Sequence, residues 1–194
     1  MAVPSPSFPS KSDARAEGLR RRRACAAALD AGARAALETA LADRVIPHLA
    51  EARVIAFYHP LASEIGPGAI LDRLGPGQRA AFPWFAAREA PMLWRAGPPA
   101  APGPWGMRQP ADDAPELTPD VVLVPLVLAD RAGARIGHGQ GHYDRALERL
   151  RAAGPAMTIG LGWACQLVAG PLPADPWDVP LDAVATPEGW FPCA

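Results

Sequence analysis

Apolar and polar positions along the chain form blocks that predict helices and strands in turn. Residues 11–31 carry Arg, Glu and Ala at helical density, and within 33–49 Leu37, Leu41 and Val45 recur every four residues. This spacing gives a helix one apolar stripe. We therefore expect two helices before the first strand.

Each later apolar run is short and bounded by proline or glycine, which is typical of a strand. The most apolar run is VVLVPLVLA at 121–129, and a strand covered on both faces has this composition. Helical spacing returns in a short segment, 66–74, and in a longer one, 141–154, which Gly154 is placed to end. The remaining predicted strands are 53–60, 79–85, 91–96, 156–163 and 181–187.

Because helices alternate with strands, the sequence predicts an α/β fold: a three-layer single domain with a largely parallel sheet flanked by helices. The 194 residues are enough for one such domain with a proper core. Residues 1–10 are rich in Pro and Ser, so we expect a disordered tail there and the domain over 11–194. Residues 97–119 are dense in Pro and Gly and form either a linker or a long ordered loop. We favour the loop, because neither flank is large enough to fold alone.

Composition narrows the class of protein. Hydrophobic residues make up 49% of the chain, which excludes a disordered protein, and a net charge of −1 predicts no nucleic-acid partner. No apolar stretch approaches the ~18–20 residues of a membrane span, and three scattered cysteines fit a reducing cytoplasm. LRRRR at 19–23 is one feature of a targeting peptide, but Asp30 and Arg34 interrupt the segment that follows, so we expect a solvated helix.

The most informative stretch is GHGQGHYDR at 137–145, which follows a predicted strand and opens a predicted helix. Ligands of α/β folds bind at such strand ends. Glycines let the backbone approach an anion and adopt positive φ, and the free N–H groups of the first helical turn attract phosphate. The spacing G-x-G-x-G matches neither a Walker A loop nor the dinucleotide fingerprint. On spacing alone, the segment is either a turn that requires glycine or a phosphate loop.

Charged residues around the loop bear on this choice. Asp144 falls in the first turn of the predicted helix, where the helix dipole favours a carboxylate. It is either a capping residue or a ligand of Mg²⁺, which binds one or two carboxylates together with phosphate oxygens. Arg135 and Arg145 flank the loop and either add positive charge to it or are ordinary surface residues.

The segment DVVLVPLVLADRAGARIGHGQGHYDRAL resembles the core signature of the 5-formyltetrahydrofolate cyclo-ligase family, also called 5,10-methenyltetrahydrofolate synthetases. Further motifs follow the family's order over about 11–188: KSDAR with LRRRR, FYHPLASEIG, GPWGMRQP, TIGLGWACQLV and DPWDVPLDAVATP. The chain departs from the family at His138, Gln140 and His142, where many members carry other residues, often cationic or aromatic. These departures bear on affinity for ATP or folate.

The resemblance implies a fold similar to that of sugar-phosphate isomerases and CoA-transferases. It implies a cytoplasmic, monomeric enzyme of one-carbon metabolism whose partners are reduced folate and ATP, with Mg²⁺ as cofactor. Such enzymes convert 5-formyltetrahydrofolate to 5,10-methenyltetrahydrofolate and release ADP and phosphate. Two alternatives are a non-catalytic folate-binding or regulatory paralogue, and an isomerase or transferase relative. The latter needs a catalytic Glu or Lys at a strand end, and the sequence offers no convincing one.

The resemblance also assigns roles to residues. The ATP-binding set is Lys11, Arg15, Arg135, Ile136, Gly137, His138, Gly139, Gln140, Gly141, His142 and Tyr143. The folate-binding set is His59, Glu64, Trp105, His138, Gly139, Gln140, Gly141 and His142. Tyr143 and Arg145 are the candidate catalytic residues, and Asp144 and Asp178 the candidate metal ligands. Four of these residues have a purely structural alternative: Lys11 and Arg15 as surface residues, Trp105 as a buried anchor of the loop, and Asp178 as the cap of a turn. Asp182 is the alternative metal ligand to Asp178.

Overall fold

The computed structural model of the chain describes residues 8–193. Most of the predicted disordered tail, 1–10, lies outside these residues. Of its last three positions, Phe8 packs against a hydrophobic cluster and Ser10 caps the first helix, so these two are part of the fold.

Two helices open the chain, as the spacing predicts. Helix α1 spans Lys11–Ala27, and the Ser10 side chain accepts a hydrogen bond from a backbone N–H of its first turn. Helix α2 spans Ala31–Val45 and is capped in the same way by Asp30. Such caps satisfy N–H groups that have no partner within the helix. A 3₁₀ turn, Ile46–Leu49, continues α2.

Within residues 8–193, two further α-helices and twelve strands follow. They are β1 (Val54–Ala56), α3 (Gly68–Leu71), β2 (Arg79–Trp84), β3 (Leu93–Ala96), β4 (Ala101–Pro102), β5 (Arg108–Gln109), β6 (Val121–Pro125), β7 (Leu128–Asp130), β8 (Arg135–Ile136), α4 (His142–Ala153), β9 (Met157–Leu161), β10 (Leu167–Val168), β11 (Ala183–Thr186) and β12 (Gly189–Pro192). The main sheet has the order β12-β11-β9-β6-β1-β2-β3. Its five central strands are parallel and its two edge strands antiparallel, so the predicted largely parallel sheet is confirmed.

Helices cover both faces of this sheet. Leu41 of α2 lies in one buried cluster with Leu123 of β6. Leu147 of α4 lies in a second cluster with Val124, the next residue of the same strand. Because successive strand residues point to opposite faces, α2 and α4 form the outer layers of a three-layer fold.

The prediction of one strand over 121–129 is wrong. Strand β6 ends at Pro125, and β7 belongs to a separate three-stranded sheet with β8 and β10. Between them, the Leu126 carbonyl leaves the ladder and accepts hydrogen bonds from the side chains of Arg22 (3.1 Å) and Gln166 (2.6 Å). Helix α1 packs on this small sheet through Ala14, and its last turn packs through Cys25 against the cluster that contains Leu123 of the main sheet.

The Pro- and Gly-rich stretch 97–119 has local structure of its own. Strands β4 and β5 pair antiparallel, and between them Trp105 adopts a φ of +58° in a short 3₁₀ turn. The strand predicted over 181–187 is not the last one, because β12 follows it as the second arm of a hairpin. Within residues 8–193, no helix is both long enough and apolar enough to span a bilayer.

Candidate functional site

The glycine loop, residues 137–141, connects β8 to α4. Gly139 and Gly141 have φ values of +87° and +65°, in the left-handed region that favours glycine, whereas Gly137 does not. Gly141 is the N-cap residue of α4 and provides no side chain to cap it. The N–H groups of the first helical turn are therefore left for an anion.

The loop lies at the carboxyl ends of the parallel strands. His138 contacts Glu64, which follows β1, and the His142 ring packs against Phe85, the residue directly after β2. This is the edge at which open α/β sheets bind their ligands. The position therefore agrees with that predicted from the sequence.

Helix α1 supplies two cationic residues beside the loop. Arg15 Nε donates a hydrogen bond of 2.8 Å to the Gly137 carbonyl. One turn earlier, Lys11 Nζ donates to Asp175 Oδ2 (2.7 Å) and to Asp178. Burial opposes the charge on Lys11, but these two carboxylates raise its pKa overall. Neither residue is an isolated surface cation.

The two predicted metal ligands, Asp144 and Asp178, lie close to the turn at 175–179. Asp144 Oδ1 accepts hydrogen bonds from the buried Arg135 guanidinium and from the Val179 backbone N–H (3.3 Å). Asp178, the residue before Val179, accepts from Lys11 and from the Asp175 N–H through Oδ2. Both carboxylates therefore already have cationic partners.

The donor chemistry of these two aspartates fits Mg²⁺. Their second oxygens, Asp144 Oδ2 and Asp178 Oδ1, accept no hydrogen bond from the residues that the structure describes. Within residues 8–193, no cluster of three or more His, Cys, Asp or Glu side chains is assembled. Two carboxylates are nevertheless enough for Mg²⁺ when water and substrate phosphates complete its shell.

The rival ligand, Asp182, lies at the opposite edge of the sheet. It accepts hydrogen bonds from the Thr158 N–H (2.7 Å) and from Arg151 (3.0 Å). Arg151 lies seven residues after Asp144 on α4, which is about 10 Å along the helix. It lines a depression of about 600 Å³ with Asp120, which in turn caps the start of β1 with two backbone hydrogen bonds. These carboxylates hold strand ends, so we place the site at the glycine loop.

Glu64, one of the predicted folate-binding residues, is buried in an ion pair. Its side chain is 5% exposed, and it accepts hydrogen bonds from Arg22 Nη1 (2.9 Å), the Leu61 N–H (2.8 Å) and His138 Nε2 (3.3 Å). Burial works to raise the pKa of Glu64, but His138, Leu61 and Arg22 together lower it below its usual value. His138, which is 43% exposed, lies between this carboxylate and solvent.

An aromatic cluster surrounds the start of α4. The His142 ring lies 5.1 Å from Phe85 and 4.9 Å from Trp105, centroid to centroid. Partial burial and the neighbouring Arg145 lower the pKa of His142. Trp105 is 40% exposed and is thus not a fully buried loop anchor.

These observations can be set beside known proteins. A model of the 5-formyltetrahydrofolate cyclo-ligase family matches residues 8–187. The chain belongs to the 5-formyltetrahydrofolate cyclo-ligase family. The family resemblance predicted from the sequence is thereby confirmed.

Members of the cyclo-ligase family appear among its relatives. A Mycolicibacterium smegmatis protein named 5-formyltetrahydrofolate cyclo-ligase is 35% identical over 92% of this chain and 94% of its own length. The Escherichia coli K12 protein of that name is 44% identical over 35% of this chain and 36% of its own.

Two solved structures share the fold. The 5,10-methenyltetrahydrofolate synthetase of Mycoplasma pneumoniae superposes with a TM-score of 0.71 at 23% identity, over 92% of this chain and 99% of that one. The synthetase of Aquifex aeolicus gives 0.71 at 24% identity, over 94% and 92%.

Not every residue that the cyclo-ligase resemblance assigns has a free side chain. Ile136 is buried in the core, so only its backbone can reach a ligand. His59 is exposed on the segment between β1 and Glu64, without a side-chain hydrogen bond to any described residue. Tyr143 packs against the second cluster, where burial and Glu64 raise the pKa of its phenol.

A cleft of about 420 Å³ beside the loop contains predicted and unpredicted residues. Gln140, His142, Arg145 and Trp105 line it, as do Arg88 and Arg149. Arg145 Nη2 donates to the Gln140 carbonyl (3.0 Å), which ties this arginine to the loop. Arg149 follows Arg145 by four residues and so lies on the same helix face, a spacing visible in the sequence. Nothing in the sequence singles out Arg88.

Proposed function

We propose that the protein converts 5-formyltetrahydrofolate to 5,10-methenyltetrahydrofolate at the expense of ATP, which becomes ADP and phosphate. The observation that carries the proposal is the glycine loop at the open amino end of α4, with Arg15 beside Gly137 and Arg145 beside Gly141. The names of the relatives support the same activity.

The chemistry requires activation of a poor electrophile. Transfer of the γ-phosphoryl group of ATP to the formyl oxygen breaks the bond to ADP and gives an iminium phosphate. The neighbouring N10 then attacks the formyl carbon, its proton is lost to water or to the departing phosphate, and phosphate leaves. Because N10 belongs to the same molecule, the attack has a high effective molarity. The protein must therefore position two substrates and neutralise charge, and it needs no nucleophile of its own.

Residues of this chain match these tasks. The backbone N–H groups of the loop and the cationic side chains of Lys11, Arg15 and Arg135 bind the phosphates. Glu64 accepts hydrogen bonds from the pterin once His138 moves aside. The His142 and Trp105 rings then pack against the remainder of the folate, in a region that excludes part of the surrounding water.

The candidate catalytic residues act by charge and hydrogen bonding. Arg145 is exposed next to the loop and stabilises the phosphoryl group in transfer. The raised pKa of Tyr143 keeps its phenol neutral, so it serves as a hydrogen-bond donor and not as a base. Asp144 and Asp178 would hold Mg²⁺, which neutralises phosphate charge when bound. That the enzyme is a cytoplasmic monomer remains a prediction.

Absorbance of the methenyl product tests the proposal. We expect this absorbance to rise when the protein is mixed with 5-formyltetrahydrofolate, ATP and Mg²⁺. It should stay flat when a chelator removes the Mg²⁺ or when a non-hydrolysable analogue replaces ATP. Folate binding without any rise would contradict the proposal. It would favour the non-catalytic paralogue, for which His138 over Glu64 is the supporting contact.

A further inference from the structure

The cleft beside the glycine loop is cationic. Its lining includes three guanidinium groups, those of Arg88, Arg145 and Arg149, and a single carboxylate, Glu89. The excess of two positive charges favours a dianion. Its volume of about 420 Å³ is that of a small-molecule site.

This cleft is separate from the cations of α1. A Cβ added at Gly139 would lie 3.2 Å from Arg15 Cζ, whereas one added at Gly141 would lie 2.8 Å from Arg145 Nη1. Arg15 and Arg145 therefore contact different residues of the loop. Lys11 and Arg15 are placed for the phosphates, and Arg88 and Arg149, which the phosphoryl transfer does not use, are left for another anion.

Contacts along the loop occur in a definite order. His138 contacts the Glu64 carboxylate, His142 contacts the rings of Phe85 and Trp105, and the arginine cleft follows on α4. The order is thus a carboxylate, an aromatic cluster and a group of cations.

A reduced folate carries complementary groups in the same order. Its pterin presents N–H donors, its benzoyl ring is aromatic, and its terminal glutamate bears two carboxylates. We propose that the arginine cleft binds the glutamate carboxylates of the substrate, chiefly through Arg88 and Arg149. This inference rests on the proposed function.

Arg149 is oriented for this task. Its Nη2 donates to the Met92 carbonyl at 2.9 Å, which anchors the guanidinium at the wall of the cleft. A guanidinium has five N–H donors, so others stay available for a carboxylate. Ordering an arginine before binding reduces the entropy lost when a bidentate pair forms.

The test compares two substrates with and without the tail. Arg88→Gln and Arg149→Gln are assayed with 5-formyltetrahydrofolate and with 5-formyltetrahydropteroate, which lacks glutamate. Arg44→Gln is the matched control, because Arg44 is exposed on α2 and makes no hydrogen bond or ion pair with the described residues through its side chain. We expect each cleft variant to raise the KM for the folate about tenfold, as for one charge-assisted hydrogen bond, and to leave the KM for the pteroate and for ATP unchanged.

Two results would overturn the inference. An equal rise in KM for both pterin substrates would mean that the arginines only maintain structure, and a rise in the KM for ATP would mean that they bind phosphate. Calorimetric binding without ATP separates this inference from the activity. A wild-type protein that binds the folate more tightly than the pteroate supports the tail site even without turnover, and equal binding refutes it even with turnover.

Discussion

Alanine at Gly137 and alanine at Gly141 should change stability in opposite directions. Gly137 lies outside the left-handed region, and a Cβ added there meets no described atom within 4 Å. Gly141 has a φ of +65°, and its added Cβ would lie 2.8 Å from Arg145 Nη1. The two positions are four residues apart in one loop, so each serves as the control for the other.

The magnitudes follow from the backbone. An L-residue in the left-handed region costs roughly 1–2 kcal/mol, and the contact with the flexible Arg145 side chain adds little. At about 2–4 °C per kcal/mol for a chain of this size, Gly141→Ala should lower the melting temperature by about 2–8 °C. Gly137→Ala restricts the unfolded chain without strain and should stabilise by roughly 0.4–1 kcal/mol.

Ligand binding separates the loop's two interpretations. If the loop binds phosphate, a methyl group at Gly137 obstructs it, and the KM for ATP should rise about tenfold, as for a lost charge-assisted hydrogen bond, in a protein of undiminished stability. Calorimetric melting and steady-state kinetics on the same preparations give both values. Normal ATP kinetics in a stable Gly137→Ala protein would mean that the loop is only a turn and does not bind phosphate. A Gly137→Ala protein that melts as early as Gly141→Ala would refute the backbone reasoning itself.

Four other substitutions test the carboxylates and the phenol. Asp178→Asn should reduce turnover and raise the Mg²⁺ concentration needed for half-maximal activity, whereas Asp182→Asn should lower the melting temperature with no change in Mg²⁺ dependence. Glu64→Gln should cost about 2 kcal/mol of stability at neutral pH because it weakens a buried charged hydrogen bond. The pKa of Glu64 is lowered from 4.5 in the folded protein, so the stability that its charge contributes is lost as the pH falls through this folded-state pKa. Denaturant titrations of the wild-type and Glu64→Gln proteins should therefore give converging stabilities in acid. Tyr143→Phe should leave the shape of the kcat–pH profile unchanged between about pH 6 and 9, and a lost limb would show that the phenol titrates.

The sequence predicts the parts of this protein that depend on local spacing. Apolar periodicity locates α2 and α4, and the need for positive φ at Gly139 and Gly141 agrees with the glycine alternation. Nine consecutive apolar residues, by contrast, do not reveal that 121–129 is divided between two sheets. The break at Leu126 depends on hydrogen bonds from side chains 40 and 104 residues away.

Much of the site also depends on distant partners. The family resemblance identifies Glu64 and Asp178 as candidate site carboxylates, but it does not reveal that Arg22 and Lys11 already bind them. Both cations belong to α1, which pairs with segments far along the chain. A single sequence therefore indicates which groups take part, but not which of them are already neutralised.

The position of α1 has a consequence for the order in which the protein is made. This one helix contacts Glu64 through Arg22, the glycine loop through Arg15, and the 175–178 turn through Lys11, whose partner Asp178 lies 167 residues downstream. A polypeptide emerging from the ribosome presents α1 well before the 175–178 turn has been synthesised. The contact of Arg22 with Glu64 can therefore form early, whereas those of Lys11 with Asp175 and Asp178 must wait for the segment that carries these two aspartates.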